Sequence, residues 1–359
     1  MRLIKKFIFS FFKPKIILIK GKEEDLLIEA TISVLGKFLK FKKVEKIPFF
    51  FKKDEILIFK SENDFNSLIE KSSLPIFILT HFEDPPLQEI YFASEKKKVE
   101  PFLKIVKNLP VFSYLILNHD DETVRELSQI TRAHPVTFGF SKEADLIASD
   151  IKMNKGLNFK LQYNGSLLPV WLERVFGKEQ IYTALAVFSL AKILKINLVE
   201  VSMAFKNYKS LPGKMRLVEG INGSFLLDDS ESATVFSMIE ALEILGKLNW
   251  PKRKIAVLGD VIGIGKYTIE AHETIGERVK KNADLLFTFG PRAKFIAKGA
   301  FENGMEEDKI FSFDKIEDGI EKLKKEIREG DLILVDGSKE MKMSKIVEEL
   351  KAFKGRKNK

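Results

Sequence analysis

Cysteine is absent from the 359-residue chain, which excludes thiol catalysis, disulfides and thiolate-held metals. Histidine is almost as scarce. His81, His119, His134 and His272 are the four present, and no two stand at ligand spacing, so no histidine-based zinc site is expected. Low-complexity tracts and internal repeats are also missing. In the N-terminal "MRLIKKFIFSFFKPK" the uncharged run Phe7 to Phe12 covers six residues. That is too short to span a bilayer and short for a signal-peptide core. What remains is an ordinary globular composition, 45% hydrophobic and 31% charged, in a length sufficient for two domains with real cores.

The net charge of +9 invites a nucleic-acid reading until it is located. Arg2, Lys5, Lys6, Lys13 and Lys15 fall in residues 1–15 with no acid among them. Lys351, Lys354, Arg356, Lys357 and Lys359 fall in residues 351–359, again with no acid. These ten charges exceed the whole net charge, so the middle of the chain is close to neutral and nucleic acid is not the expected partner. Residues 1–14 read as a basic amphipathic arm packed on the domain, and 351–359 as a basic tail. Weak contact of both with an anionic membrane surface is the alternative.

From about residue 220 strands and helices alternate regularly. "SFLLDD", "KIAVLGD", "ADLLFTFG", "KIFSFD" and "DLILVDGS" read as strands. Helices are expected over Ser237–Leu248 and around Glu270–Lys281, and Ile316, Ile320, Leu323 and Ile327 make one apolar stripe at helical spacing. This pattern argues a doubly wound α/β domain with a mostly parallel sheet. Earlier, "PIFILT", "FSYLILNHDD" and "HPVTFGF" are strand-like, "NFKLQYNGSLLPVWL" reads as a hairpin turning at Asn164-Gly165, and Ile181–Leu194 as a helix. Pro212-Gly213 marks a hinge between two halves.

One short stretch frames the functional question. In "KIILIKGKEEDLLIEATISVL" an apolar strand runs into Gly21 and then into a helix start, the outline of a phosphate-binding loop. The turn nonetheless offers Glu23, Glu24 and Asp25.

Taken together, "LPGKMRLVEGINGSFLLDDSESATVFSMIEALEIL", "KIAVLGD", "AHETIGE" and "GDLILVDGSKEMKMSKIVEEL" resemble the Mur ligases, closest to the branch that adds D-alanyl-D-alanine in peptidoglycan synthesis. "LILNHDDETVRELS", "VTFGFSKEADLIASDI" and "GKEQIYTALAVFSLAKILKI" resemble segments of the family's central ATP-binding domain. The resemblance implies a central Mur-ligase α/β domain over 15–211 followed by a Rossmann-like, doubly wound C-terminal domain over 212–350. It also implies that the family's separate N-terminal UDP-sugar domain is missing. Cytoplasmic location is expected, peripheral at the inner face of the membrane if the tails bind lipid.

In the family, ATP phosphorylates a carboxylate and an amine attacks the acyl phosphate, with magnesium held by Thr, Glu and His. The family loop reads T-G-x-x-G-K-T-T. Aligned on Gly21, its second glycine is Glu24, its lysine Asp25 and its metal-binding threonine Leu26. A unit charge about 4 Å from a phosphate is worth ~4 kcal/mol at an effective dielectric of 20, so the lysine-to-aspartate exchange swings ~8 kcal/mol against binding. A micromolar to millimolar nucleotide site has roughly 4–8 kcal/mol in total. The other positions depart similarly. The metal-binding histidine falls near Pro86, H-N-x-x-N becomes Glu179, Gln180 and Thr183, and the adenine-side Tyr-Asn-Ala-Asn-Pro becomes Glu231 to Val235. P-G-R becomes Pro212-Gly213-Lys214, and the lysine of K-G-S-R becomes Asp336.

Candidate cleft residues are therefore the loop itself, with Lys214, Arg216, Asp228, Asp229, Asp260, His272, Asp336, Ser338 and Lys339. Strand-end aspartates often cap helices, so Asp228, Asp229, Asp260, His272 and Ser338 are expected first as fold residues. No metal ligand and no bound cofactor are expected, although the family uses ATP and Mg. The acids of residues 23–25 are expected to cap the helix Leu26–Leu35. The leading expectation is a catalytically degenerate homologue acting as a binding or scaffolding partner of a Mur ligase or another cell-wall enzyme. The alternative is a working amide ligase with a rearranged nucleotide site.

Overall fold

The computed structural model describes residues 13–46, 52, 54–60, 65–80, 95–231 and 233–352. The expectations for the arm up to residue 12, for His81 and Pro86, for Ser232 and for the tail from 353 lie outside the described residues.

Among the described residues the first lobe has nine strands, β1 (Lys15–Lys20), β2 (Lys40–Val44), β3 (Glu55–Phe59), β4 (Leu74–Leu79), β5 (Tyr114–Asn118), β6 (His134–Gly139), β7 (Leu146–Met153), β8 (Gly156–Tyr163) and β9 (Ser166–Glu173). They form one sheet in the order β2-β3-β1-β4-β5-β6-β7-β8-β9. Pairing is parallel from β2 to β7 and antiparallel through β8 and β9. The apolar runs explain the parallel part, because such strands are buried on both faces. Alternate residues of β1 feed two cores, Ile17 and Ile19 one, Ile16 and Leu18 the other. The hairpin between β8 and β9 turns at Asn164 (φ 46°) and Gly165 (φ 76°), the left-handed pair a two-residue hairpin turn requires.

Helices α1 (Glu24–Ala30), α2 (Phe65–Glu70), α3 (Glu95–Asn108), α4 (Glu122–Glu126), α5 (Lys178–Ile193) and α6 (Leu198–Phe205) complete the lobe. α5 is apolar around most of its circumference and runs through the core, where Ile181, Leu185, Phe188 and Leu190 are almost wholly buried. The expected helix Leu26–Leu35 begins two residues earlier, at Glu24, and its last turn widens into a π-helix over Thr31–Leu35.

The second lobe has six strands, β10 (Arg216–Glu219), β11 (Phe225–Asp229), β12 (Lys254–Gly259), β13 (Leu285–Phe289), β14 (Ile310–Phe313) and β15 (Leu332–Asp336). Their order is β10-β11-β15-β12-β13-β14, parallel except for β10. Helices α7 (Val235–Lys247), α8 (Thr268–Asn282), α9 (Lys294–Glu302), α10 (Ile316–Glu326) and α11 (Ser344–Leu350) cover both faces. A reciprocal cap starts α7: Ser237 N–H donates to Thr234 Oγ1 at 3.1 Å, and Thr234 N–H donates to Ser237 Oγ at 2.8 Å. Both lobes are thus α/β, as the sequence pattern implies.

The connection is short and laced. Phe176 N–H donates to Met215 O and Leu217 N–H to Arg174 O, at 2.9 and 2.7 Å. Gly213 has φ 69°, and a Cβ there would come within 2.3 Å of the Glu231 side chain, so the turn between the lobes needs glycine.

Candidate functional site

β1 delivers the chain to the cleft edge of its sheet, where Gly21 (φ 122°) and Glu23 (φ 62°) turn it into α1. The three acids of this turn each have a lysine. Glu24 Oε1 lies 3.0 Å from Lys20 Nζ and accepts the Gly21 N–H at 3.3 Å. A carboxylate therefore occupies the turn's own amide and its nearest cation, the groups an incoming anion would use. Glu23 pairs with Lys214 of the second lobe at 2.8 Å, with side chains only 13% and 19% exposed. Asp25 accepts from Lys60 at 2.6 Å and from Lys43 at 3.3 Å, and the Lys60 hydrogen bond foremost holds its carboxyl below the usual range. Leu26 is buried, 1% exposed, at the wall of the cleft.

This corrects one expectation. No side-chain hydrogen bond caps α1 at Glu23, and Glu24 accepts from a loop amide rather than a helix amide. The left-handed backbone at Glu23 aims its side chain across the cleft, and a lysine ammonium is a stronger partner than a backbone amide. The acids still oppose the helix dipole favourably, through charge alone.

Loops of both lobes enclose a cavity of about 1110 Å³ lined by six lysines and eight acids. Five of those six lysines are ion-paired with an acid of the same lining. Besides Lys20–Glu24, Lys60–Asp25 and Lys214–Glu23, Lys22 lies 3.9 Å from Glu179 and Lys178 lies 3.0 Å from Glu240. Two pairs cross between lobes in opposite senses: Glu23 reaches Lys214, and Lys178 reaches Glu240 on α7. Exposed pairs contribute about 0–1 kcal/mol each. The Glu23–Lys214 pair is drier and supported from behind. Gln180, buried under Lys214, donates to its carbonyl at 2.9 Å and to Ser210 Oγ at 2.8 Å.

Of the remaining candidates, Lys214, Asp229, Ser338 and Lys339 line this cavity, whereas Arg216, Asp228, Asp260, His272 and Asp336 do not. Each of the latter, Asp336 excepted, has a structural task. Asp228 accepts from Arg216 Nε at 3.1 Å and from Gly213 N–H at 2.9 Å, fixing the inter-lobe turn. Asp260 accepts the N–H groups of Arg292 and Ala293, 3.0 and 2.7 Å away, at the entry to α9. His272 Nε2 accepts from Val261 N–H at 3.1 Å, so Nδ1 carries the proton and donates to Thr268 O at 2.6 Å. Burial holds that imidazole below its ordinary pKa, consistent with a neutral ring bracing the loop. Ser338 Oγ accepts Ile262 N–H at 2.9 Å.

Asp336 is different. It is fully buried, and neither carboxyl oxygen has a hydrogen-bond partner. It stands in register with Asp229 on the neighbouring strand. Burial pushes Asp336 well above the usual carboxylate range, with the charge of Asp229 adding to the shift. Burial also pushes Asp229 up to about 8, against the pull of Lys214. Among the described residues no group of three or more His, Asp or Glu is arranged to hold a metal ion.

The lysines Lys20, Lys22, Lys60 and Lys178 and the acid Glu240 were not among the sequence candidates. Only Lys20–Glu24, at i and i+4, carried a local signal.

Residues 77–191 match the Mur ligase middle domain and residues 213–339 the Mur ligase, glutamate ligase domain. The chain belongs to the Mur ligase family. The UDP-N-acetylmuramoyl-tripeptide--D-alanyl-D-alanine ligase of Bacillus subtilis (strain 168) is 24% identical over 277 residues, 76% of this chain and 58% of that protein. The same-named ligase of Escherichia coli (strain K12) is 27% identical over 256 residues, 69% of this chain and 54% of that protein. The chain thus spans little more than half the length of these relatives. Among solved structures, MurF ligase from Thermotoga maritima in complex with ADP superposes with a TM-score of 0.73 at 16% identity, over 97% of this chain and 81% of that one. MurF from Acinetobacter baumannii gives 0.78 at 16% identity, over 96% and 78%. At such identities the structural likeness establishes the fold of this Mur-ligase homologue.

Proposed function

We propose that this Mur-ligase homologue serves peptidoglycan precursor synthesis as a MurF-like binding or scaffolding partner, without nucleotide-driven ligation of its own. The observation that carries the reading is the commitment of five cleft lysines to cleft acids. A nucleotide polyphosphate would have to displace Glu24 from the Gly21 amide and enter a lining with more carboxyl groups than ammonium groups. Residues at the loop do not fit Mg-nucleotide held as the family holds it. Asp25 stands for the lysine, and Leu26, standing for the metal-binding threonine at the cavity wall, has no side-chain oxygen to offer a metal. The partner under this reading is a full Mur ligase or another cell-wall enzyme.

A second reading, an ATP-dependent carboxylate–amine ligase with a rearranged nucleotide site, draws support from the cavity itself. Its volume accommodates a nucleotide, and Lys339 stands at its second-lobe wall. Turnover separates the two. Purified protein given Mg-ATP, D-alanyl-D-alanine and a UDP-N-acetylmuramoyl-tripeptide is expected to release no phosphate above blank. Substrate-dependent phosphate release with formation of the amide product would replace the first reading with the second.

A further inference from the structure

Parallel strands enter their sheet from one edge and leave at the other. In the first lobe the cleft loop follows β1, so the entry edge of β1, β4, β5 and β6 is the side remote from the cleft. The segments leading into these four strands form a row roughly 15 Å long at about 4.8 Å per strand.

At the middle of that row, Pro110–Ser113 is a tight turn leading into β5. Ser113 N–H donates to Pro110 O at 2.9 Å, and Ser113 O accepts from His134 N–H at 2.9 Å. Leu109 and Ser113 are buried on either side. The two corner residues of this anchored turn are Val111, 64% exposed, and Phe112, 56% exposed. Turn corners ordinarily carry Gly, Asn, Asp or Pro, so two large apolar side chains held into solvent by a rigid frame call for a partner.

The surroundings indicate which kind. Lys107 at the end of α3, Arg132 before β6, and Lys13 and Lys15 at the start of β1 are exposed on the same edge, and Lys71 before β4 is half-buried. Glu70 is an exposed acid of this row, and Lys13 Nζ donates to its backbone carbonyl; on the adjoining start of β3 the exposed Asp54 is paired with Lys40.

We infer that this edge is a docking surface for an anionic lipid bilayer, with Val111 and Phe112 entering the interface and the basic residues facing lipid headgroups. An apolar wedge combined with clustered basic charge is the two-signal arrangement that reversible membrane attachment requires. Docking this way leaves the cleft pointing into water, so the inference is independent of what the cleft binds.

The test uses the full chain with two vesicle preparations, pure phosphatidylcholine and phosphatidylcholine containing about a third phosphatidylserine. Co-sedimentation is expected with the anionic vesicles only, and to fall as salt is raised. Val111→Ser with Phe112→Ser should weaken partitioning about tenfold, the loss expected when two partly inserted apolar side chains are removed. Lys107→Glu with Arg132→Glu should weaken it comparably. A Phe112→Trp variant should show indole fluorescence quenched by brominated acyl chains. All four positions are at the surface, so unchanged melting temperatures would verify folding. Equal binding to both vesicle types, binding unaffected by the turn variants, an unquenched indole, or failure to sediment at all would each overturn the proposal. Loss of a concentration-dependent dimer in the turn variants, without vesicle binding, would assign the patch to a protein contact instead.

Discussion

Two strand ends face each other across the cleft, and they handle negative charge in opposite ways. At the end of β1 the three acids Glu23, Glu24 and Asp25 each meet a lysine within 3.3 Å. At the ends of β11 and β15, Asp229, buried at the cavity wall, stands in register with the fully buried Asp336, and Lys214, already engaged with Glu23, acts on both. At the paired end the Lys60 hydrogen bond foremost holds the Asp25 carboxyl below its usual range. Buried acids sharing a distant ammonium favour the protonated form. The contrast explains how an acid-rich cleft is compatible with a folded second lobe: of its eight lining acids, five are matched by lysines and Asp229 is pushed toward its neutral form.

The largest expected effect comes from rewriting the paired end. Glu24→Gly, Asp25→Lys and Leu26→Thr together restore the family's loop residues. They also remove the Lys20 and Lys60 pairs and replace a leucine that is 1% exposed. Truncating a buried leucine typically costs about 2–3 kcal/mol, and the lost charge contacts bring the total to roughly 4 kcal/mol. Urea unfolding of the triple variant should show that loss. A midpoint equal to the parent's would mean the loop is stabilised by something other than these contacts.

Next in size is the residue shared by both ends. Lys214→Met leaves Glu23 without its partner at a mostly buried position and removes the cation that moderates Asp229. Breaking such a pair is expected to cost about 3 kcal/mol, and Glu23→Gln in the same chain should recover part of it. Strict additivity in that double-mutant cycle would show the cross-lobe pair to be energetically silent.

The unpaired end should appear in the pH dependence. Asp229 has a folded pKa raised from 3.8 to about 8, so the folded state holds its proton more tightly than the unfolded chain. Its contribution is then fully present below about pH 4 and is lost as pH rises toward 8. Asp229→Asn should therefore melt close to the parent at pH 4 and above it at pH 8. A difference independent of pH would remove the suppressed-charge explanation. Asp25 gives the smallest effect and the opposite sign. Its lowered pKa contributes stability above about pH 4 that fades under acid, and at 50% exposure Asp25→Asn should shift stability by under about 1 kcal/mol.

Much of the architecture is legible in the sequence because it is written locally. Buried runs such as Ile16–Ile19 and Leu332–Val335 mark parallel strands, Asn164-Gly165 marks its turn, and the stripe through Ile316, Ile320 and Leu323 marks a helix. The acid turn was equally plain, and so was its departure from the family's phosphate loop. Its partners were not. Lys214 lies 191 residues from Glu23, and only the laced connection between lobes brings them together. Asp260 at a strand end and His272 on the helix that follows looked like chemistry because titratable groups at strand ends and on adjacent helices are where α/β folds place their sites. The structure gives them backbone amides to hold instead.

The claim beneath these contrasts is that five of the cleft's six lysines are committed to its own acids and are not available to phosphate. Calorimetric titration of the full chain with Mg-ATP addresses it directly. Heats no tighter than about millimolar are expected, since a committed cleft supplies under roughly 4 kcal/mol to a nucleotide. Saturable binding at micromolar concentration would contradict it.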